Sequence, residues 1–392
     1  MKLFQLLSKY FIVVFLAAKS RAKGANSTMS NLSPETTAEF AVVQSCDAIQ
    51  QRFLEAGIHS ADWYNLPRAD QFERLDNIIG NTPLVSIELT SASDAGDNHP
   101  NIYSKQERLN PSGSHYDRAF LATIRNFEEA DFIKPGDQLR DITSGSGGIS
   151  LAALAWALGY SARITVPSEL PRTRLLPMEY FGAEIVDAGY GYVQQAASLQ
   201  TAEIRALKRD PDWKTSRPDD EQQRAFLFER RDETTERRIC YLNHSENSMS
   251  PEAFKAIGHE LVAQLATPPQ AVLLAIGNWT TIAGITQVLR EAWKDTRLIG
   301  YHGPDTTTHR NFGTKVDGLN LRFEDESLLD QILVVTDQER DALHAEFNQP
   351  LPLLQQVGHS TLMGMAAAKR LSASGTGRGS IVTIAYDQKV RY

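Results

Sequence analysis

The sequence predicts an α/β protein whose mainly parallel sheet is covered by helices on both faces. Two observations lead to this fold class. Strand-like and helix-like segments alternate from residue 101 to residue 387, and the glycine-rich turn TSGSGG at residues 143–148 joins a predicted strand directly to a predicted helix. Parallel strands need crossover connections of this length, which are usually helices. The chain has 392 residues and is 42% hydrophobic, which is enough apolar material for a sizeable core.

The elements of the first half begin with a helical stretch at residues 38–56, inside a polar, mixed segment that precedes the alternating region. Short apolar runs predict strands at residues 101–105, 138–142, 162–167 and 183–188. Helices are predicted between them at residues 116–130, 149–160 and 172–181. In the second of these helices, ISLAALAWALGY, apolar residues recur at i, i+3, i+4 and i+7, which is typical of a helix that packs on a core.

The second half continues the alternation after one interruption. The charged stretch at residues 205–238 is interpreted as a solvated insertion that could include a surface helix. Strands are then predicted at residues 237–243, 271–277, 297–303 and 379–387. Helices are predicted at residues 250–265 and 281–293. No internal repeat or low-complexity segment is present.

The N-terminus has the layout of a targeting segment. Lys2 and Lys9 precede an apolar run at residues 11–18, and small residues follow around Ala22. This pattern predicts a signal peptide-like segment at residues 1–22 and entry into the secretory pathway, with a mitochondrial transit peptide as the alternative. The apolar run is too short for a membrane span. Residues 23–77 are an extension with glycosylation acceptors at Asn26 and Asn31, usable only on the secretory route.

Composition excludes several classes of function. The formal net charge of −8 argues against a nucleic-acid partner, because no basic surface of the required size is available. The two cysteines, Cys46 and Cys240, have neither the number nor the spacing of a disulfide framework or a zinc site. No metal site is predicted, and no stable membrane span is predicted elsewhere in the chain. A small-molecule substrate is the expected partner.

Residues 78–392 carry a series of motifs in a characteristic order: IIGNTPLV (78–85), YSKQERLNPSGSHYDR (103–118), TSGSGGISLA (143–152), LNHSEN (242–247), VDGL (316–319) and DQKVRY (387–392). This series resembles the cysteine synthase / cystathionine β-synthase family of fold-type II pyridoxal-phosphate (PLP) enzymes. The resemblance implies a tryptophan synthase β-like fold of two three-layer α/β/α domains with mainly parallel sheets. It also implies a smaller mobile domain at about residues 116–235, and a homodimer.

The departures from the family pattern concern the cofactor. The resemblance places Tyr116 where the family has the lysine that forms an imine with PLP. The phosphate loop GTGGT corresponds to Gly277, Asn278, Trp279, Thr280 and Thr281. Ser146 replaces the asparagine beside the cofactor ring, and Gln388 replaces the serine facing the pyridine nitrogen. A phenol cannot form the imine, and its ordinary pKa of about 10 makes it a poor base. We therefore expect no covalent PLP, with noncovalent PLP as the alternative.

Other parts of the site persist. Thr143, Ser144, Gly145 and Ser146 correspond to the loop with which the family binds a substrate carboxylate, and the loop leads into a helix whose N–H groups favour an anion. His244 corresponds to the glutamine that assists this binding.

His115, Tyr116 and His244 are the catalytic candidates, because two imidazoles and a phenol form an acid–base set. Packing roles for each are the alternative. The leading hypothesis is a PLP-independent lyase, cyclase or isomerase acting on a small carboxylate-bearing or planar substrate. The alternatives are a pseudoenzyme that binds a ligand or partner, and a PLP-dependent β-replacement enzyme or lyase.

Overall fold

A computed structural model describes residues 34–87, 100–217, 223–231, 236–304, 321–346, 357–374 and 379–389. These residues form two six-stranded sheets flanked by ten α-helices. The α/β class predicted from the sequence is confirmed. The signal peptide-like segment, both N-terminal glycosylation acceptors and the VDGL motif lie outside the described residues.

The first sheet has the strand order β1-β2-β12-β9-β10-β11. Its strands are β1 (Leu84–Ile87), β2 (Ile102–Lys105), β9 (Ala271–Ala275), β10 (Arg297–His302), β11 (Gln331–Val334) and β12 (Ile381–Ile384). β1 is antiparallel to β2, and the other pairs are parallel. All four residues of β12 are buried, as expected for a strand covered by helices on both faces.

The second sheet has the order β5-β4-β3-β8-β7-β6. Its strands are β3 (Gln138–Ile142), β4 (Ser161–Val166), β5 (Glu184–Asp187), β6 (Lys214–Ser216), β7 (Phe226–Arg231) and β8 (Glu236–Tyr241). The first four strands in this order are parallel, and β7 and β6 continue the sheet in antiparallel pairs. The last of these strands along the chain, β8, ends at Tyr241, beyond the boundary near residue 235 expected for the smaller domain. The mobility of that domain stays a prediction.

Six of the ten helices correspond to predicted ones, whereas the second, sixth, ninth and tenth were not predicted. They are α1 (Pro34–Glu55), α2 (Arg68–Asp76), α3 (Tyr116–Glu129), α4 (Ser146–Leu158), α5 (Arg172–Tyr180), α6 (Tyr192–Arg209), α7 (Met249–Gln264), α8 (Thr280–Ala292), α9 (Asp337–Glu346) and α10 (His359–Ala373). α4 ends at Gly159, whose left-handed backbone (φ +79°) is the usual helix terminator. Within the described ranges, no helix is both long and apolar enough to cross a membrane.

The charged stretch at residues 205–238 differs from the solvated insertion predicted for it. Its described parts are the end of α6, the strands β6 and β7, and the beginning of β8. Leu227 and Phe228 are buried in β7, and Phe228 packs with Ile239 and Tyr241 of β8. Charged residues dominate the composition, but the short apolar run AFLF supplies one buried face. This is sufficient for an antiparallel strand at the side of a sheet.

The N-terminal extension is part of the folded structure. Phe53 of α1 and Leu75 of α2 are fully buried, and Trp63 between these helices is 1% exposed. These side chains join the core of the second sheet, where they pack with residues of α3 and α4. Trp63 also donates its indole N–H to the carbonyl oxygen of Ala157 in α4, at 3.1 Å. The described part of the extension therefore contributes directly to core packing.

A buried ionic network joins α3 and α7 to the end of β2 and the residues that follow it. Arg118 in α3 donates two hydrogen bonds of 2.8 Å to Glu107 and contacts Glu260 of α7 at 2.6 Å. Lys105, at the end of β2, donates to the same Glu260 at 2.5 Å. Burial alone would raise the pKa of Glu107, but the charge and hydrogen bonds of Arg118 lower it to about 2. The network fixes α3 against β2 and α7.

Replacing Glu107 with Gln is expected to lower the free energy of unfolding by about 3–5 kcal/mol, because Arg118 would lose its buried counter-charge. Urea denaturation followed by circular dichroism measures this effect. Glu129→Gln changes an exposed carboxylate at the end of α3, the helix that carries Arg118. Its unfolding free energy should stay within about 0.5 kcal/mol of that of the unmodified chain. Equal effects of the two substitutions would contradict this role of the network.

Candidate active site

A cavity of about 510 Å³ lies where several strands of both sheets end. Its walls come from the segments that follow β3, β8, β9 and β12, together with the start of α3 and one side of α6. The carboxyl ends of parallel strands are the usual place for a ligand in an α/β sheet, because the loops there converge. The cavity is therefore the candidate active site.

The TSGS segment after β3 is held in place by its own side chains. The hydroxyl of Thr143 accepts hydrogen bonds from the N–H groups of Gly145 (2.9 Å) and Gly148 (3.2 Å). Gly145 has φ +142°, and a Cβ there would lie 2.6 Å from Cδ of Arg174, so the position requires glycine. Thr143, Ser144 and Ser146 line the cavity, whereas Gly145 shapes the turn.

The three predicted catalytic residues lie together in the cavity wall. The ring centroid of Tyr116 is 4.2 Å from that of His115 and 5.3 Å from that of His244. Nε2 of His115 is 3.2 Å from the hydroxyl of Thr281. The amide of Asn278 donates to the Tyr116 hydroxyl at 3.4 Å. The sequence-based prediction that these side chains share one cleft therefore agrees with their positions here.

Burial decides the protonation states of two of these residues. It lowers the pKa of His115 to about 4, against the opposing effect of Glu107 and Asp387. It also raises the pKa of the Tyr116 phenol well above its usual value, against the hydrogen bond from Asn278. Near pH 7 both side chains are therefore neutral. Tyr116 is a proton donor rather than a base, and its hydroxyl can hydrogen-bond to a developing negative charge.

His244 is held by an acidic residue that the sequence did not single out. Asp141, at the C-terminal half of β3, is 2% exposed and accepts the backbone N–H of His244 at 3.0 Å. Nδ1 of His244 lies 3.1 Å from the same carboxylate oxygen, within ion-pair distance, although the ring N–H direction there falls outside hydrogen-bond geometry. The other ring nitrogen, Nε2, lies 3.4 Å from the hydroxyl oxygen of Ser245.

The segment Gly277–Thr281 precedes α8. The Asn278 amide oxygen accepts hydrogen bonds from the hydroxyl (2.7 Å) and the N–H (3.3 Å) of Thr280 at the start of the helix. Trp279 has a left-handed backbone (φ +67°), and its side chain is 4% exposed within the core of the first sheet. Gly277, Asn278, Trp279 and Thr281 line the cavity, whereas Thr280 is fully buried behind it.

Gln388 does not line the cavity, and its neighbour Asp387 does. The Gln388 amide contacts Ser45 of α1 and the carbonyl oxygen of Arg108, each at 3.3 Å. Asp387 is 4% exposed and accepts a hydrogen bond from Ser146 at 2.6 Å. The expectation that Gln388 faces the site is therefore wrong by one position. Successive side chains of an extended segment point in opposite directions, so a shift of one residue reverses the assignment.

Cationic side chains line another part of the cavity. Arg174 of α5 is 2% exposed and donates to the carbonyl oxygen of Ser144 at 2.5 Å. Arg205 and Lys208 project from the exposed side of α6, and Nζ of Lys208 lies 3.9 Å from the ring centroid of Phe226. Among the described residues that line the cavity, Lys208 is the one lysine. The amino group of Lys105 donates a hydrogen bond to Glu260, and Lys105 lies outside the cavity.

Two sheets with a cavity at the carboxyl ends of their strands define an α/β enzyme-like architecture. The chain matches the pyridoxal-phosphate dependent enzyme family over residues 75–387 and belongs to that family. The resemblance recognised in the motifs is thereby confirmed at the level of the family.

The relatives agree with this placement. Cysteine synthase B of Salmonella typhimurium is 30% identical over 227 residues, which cover 58% of this chain and 64% of that relative. The chain thus spans just under two thirds of that protein. The O-acetylserine dependent cystathionine β-synthase of Bacillus subtilis is 26% identical over 331 residues, covering 81% and 95% of the two chains. A hydrogen sulfide-producing enzyme from Fusobacterium nucleatum has the same fold, with a TM-score of 0.66 and 22% identity over 81% of this chain and 98% of that one.

The buried, neutral state of His115 predicts a pH dependence of stability. Its pKa is about 4 in the folded chain against an ordinary 6.5, so the unfolded chain binds a proton first as the pH falls. The stabilisation is complete above pH 6.5 and is lost as the pH falls from 6.5 towards 4. Between pH 7 and pH 5, the unmodified chain should therefore lose about 2 kcal/mol of unfolding free energy through His115, and His115→Phe should not show this loss.

Urea denaturation at a series of pH values measures this effect. His259→Phe, at an exposed position of α7, is the matched control. Its unfolding free energy should fall with pH as steeply as that of the unmodified chain. If the unfolding free energy of His115→Phe fell as steeply with pH, the neutral, buried state of His115 would be contradicted.

Proposed function

We propose that this chain is a cysteine synthase-like protein that performs acid–base chemistry without covalently bound PLP. Its substrate would be a small carboxylate-bearing or planar molecule, and the reaction would be an elimination, cyclisation or isomerisation. The observation that carries the proposal is the clustering of His115, Tyr116 and His244 in one wall of the cavity. A neutral phenol beside an imidazole can donate and accept protons on one bound molecule.

The poor fit between PLP and these residues is the first support for the proposal. When PLP is bound through a lysine, it supplies an electron sink for the reaction. The motif resemblance puts Tyr116 at that lysine position, and the amino group of Lys105 is held by Glu260. At the start of α8, where the resemblance puts the phosphate loop, the Asn278 side chain already accepts the hydrogen bonds of Thr280. These residues do not fit a covalently held cofactor.

The persistence of an anion site is the second support. Ser144 and Ser146 line the cavity at the beginning of α4, where the helix dipole favours negative charge. Arg174 adds a buried positive charge behind Ser144. We assign these groups to the substrate carboxylate. Trp279, which lines the same cavity, offers an apolar wall for the rest of a planar substrate.

His244 and Tyr116 would share the chemical work. His244, oriented by Asp141, is assigned as the base that removes a proton from the bound substrate. Tyr116 is assigned as the donor that stabilises negative charge developing on the substrate. His115 is neutral at the working pH and packs between Tyr116 and Phe254, so we assign it to positioning of the phenol.

One alternative follows from the relatives. They include enzymes named cysteine synthase and cystathionine β-synthase, so a PLP-dependent β-replacement enzyme or lyase is the second candidate. A pseudoenzyme that binds a ligand or a partner is the third candidate. A homodimer and passage through the secretory pathway belong to the proposal as well, on the basis of the family resemblance and of residues 1–22.

Incubation with PLP followed by borohydride tests the cofactor proposal. The unmodified chain should give no reducible aldimine, detected as a permanent mass increase. Tyr116→Lys combined with Trp279→Gly and Thr280→Gly should gain one, because an amine and an open loop are restored, whereas Tyr116→Lys alone restores only the amine and should gain less. Circular dichroism confirms that each variant is folded. A reducible aldimine in the unmodified chain would instead support the PLP-dependent candidate.

Turnover without PLP tests the acid–base proposal. Small carboxylates, beginning with O-acetyl-L-serine, are incubated with the chain and followed by NMR. Tyr116→Phe and His244→Ala should each lower the rate by about 10²–10⁴-fold, because the first removes the hydrogen bond to the developing charge and the second removes the base. Tyr190→Phe, at a position 78% exposed, is the control and should keep the rate. Conversion that persists in Tyr116→Phe would contradict the assignment of the phenol, and no conversion of any compound would favour the pseudoenzyme.

A further inference from the structure

Ser245 lies beside His244 in the cavity wall and has no role in the acid–base proposal. Its hydroxyl oxygen is 3.4 Å from Nε2 of His244, while Nδ1 of that ring is 3.1 Å from the carboxylate of Asp141. All three side chains line the same cavity. A carboxylate, an imidazole and a hydroxyl in this order form the arrangement that activates a serine nucleophile. The contact between Ser245 and His244 is long, as is common for such pairs before a ligand closes them.

The surrounding hydrogen bonds determine which partner the Ser245 hydroxyl can donate its proton to. The Asn278 amide donates to the Ser245 oxygen at 3.1 Å, so this oxygen already accepts a hydrogen bond. The serine proton is then available to Nε2 of His244. That direction requires Nε2 to be unprotonated and Nδ1 to carry the ring proton. The negative charge of Asp141, 3.1 Å from Nδ1, favours this tautomer, although the N–H does not point at the carboxylate oxygen.

The turn that carries Ser245 is rigidly built. It connects β8 to α7, and Asn243 within it has a left-handed backbone (φ +51°). The Asn243 side chain accepts from Gln200 and donates to the carbonyl oxygen of Arg224, each at 2.7 Å. A strand–turn–helix connection with a left-handed residue presents a side chain at the end of a sheet, where a nucleophile can reach a bound molecule.

The start of α4 lies next to Nε2 of His244, the ring nitrogen that also faces Ser245. A Cβ added to Gly147 would be 3.6 Å from Nε2 of His244 and 3.5 Å from the hydroxyl of Thr143. These distances are ordinary van der Waals contacts, so the first turn of α4 packs directly beside the imidazole. N-terminal backbone N–H groups of a helix favour negative charge, including the charge that develops on a carbonyl oxygen under attack.

We propose that Ser245 is the nucleophile of a further activity, the hydrolysis of small esters bound in this cavity. The Ser245 oxygen forms a bond to the carbonyl carbon while its proton moves to Nε2 of His244. The bond to the alcohol oxygen then breaks, and the alcohol leaves with that proton. Water attacks the acyl group on Ser245, again through His244, and releases the acid. Asp141 is a positioning residue that acts through His244.

Covalent labelling of the full-length chain with an alkyl fluorophosphonate tests this activity. The Ser245 oxygen bonds to phosphorus, fluoride leaves, and His244 takes the proton. Intact mass and peptide mapping should show one label per chain, on Ser245. Ser245→Ala should remove the label, and His244→Gln should slow labelling at least about 100-fold, because the base is lost.

Ser198→Ala is the matched control, because its hydroxyl lies on the exposed face of α6 and donates to the carbonyl oxygen of Gln194. It should be labelled at the original rate. Three results would each overturn the proposal: no label on a folded chain, a label on another residue, or an unchanged rate in His244→Gln. The covalent label on Ser245 is read out separately from the NMR turnover of carboxylates, so failure of this activity and failure of the acid–base chemistry can be told apart.

Discussion

The position of Arg118 between Glu107 and Glu260 is the constraint on which the cavity depends. Arg118 sits in the first turn of α3, two residues after Tyr116, so the ion pairs that fix Arg118 also fix the start of the helix. That start carries both His115 and Tyr116 into the cavity wall. A buried network of this kind tolerates no unpaired member, and the orientation of two candidate catalytic side chains is tied to it.

The electrostatics of the cavity are divided between two walls. Burial keeps His115 and Tyr116 neutral, whereas Arg174 and the start of α4 form a side that favours anions. An anionic substrate held at the second wall would place its apolar or reacting portion against the first. His244 stands where the two walls meet, with Asp141 behind it. This position gives the imidazole access to any molecule that the cavity holds.

The alternation of strands and helices, and the cleft shared by His115, Tyr116 and His244, could be predicted from periodicity and motif order. Strand β7 could not, because its apolar run is brief and the flanking charges dominate any window average. Asp387 was missed because the motif match drew attention to Gln388, and neighbouring side chains in extended backbone point in opposite directions. Ser245 and Asp141 carry no local signal, since their significance arises from contacts across the fold with Asn278 and His244.

Trp279 has a consequence for both ligand binding and stability. The indole is at once a wall of the cavity and a member of the hydrophobic core, and it stands on a left-handed backbone that glycine would adopt more easily. Removing a buried indole typically costs about 3–5 kcal/mol, which exceeds the strain that glycine would relieve. Because the same side chain fills the core and walls the cavity, a substitution that opens the cavity at this position also destabilises the fold. The shape of the binding site and the stability of the first sheet are therefore coupled through one residue.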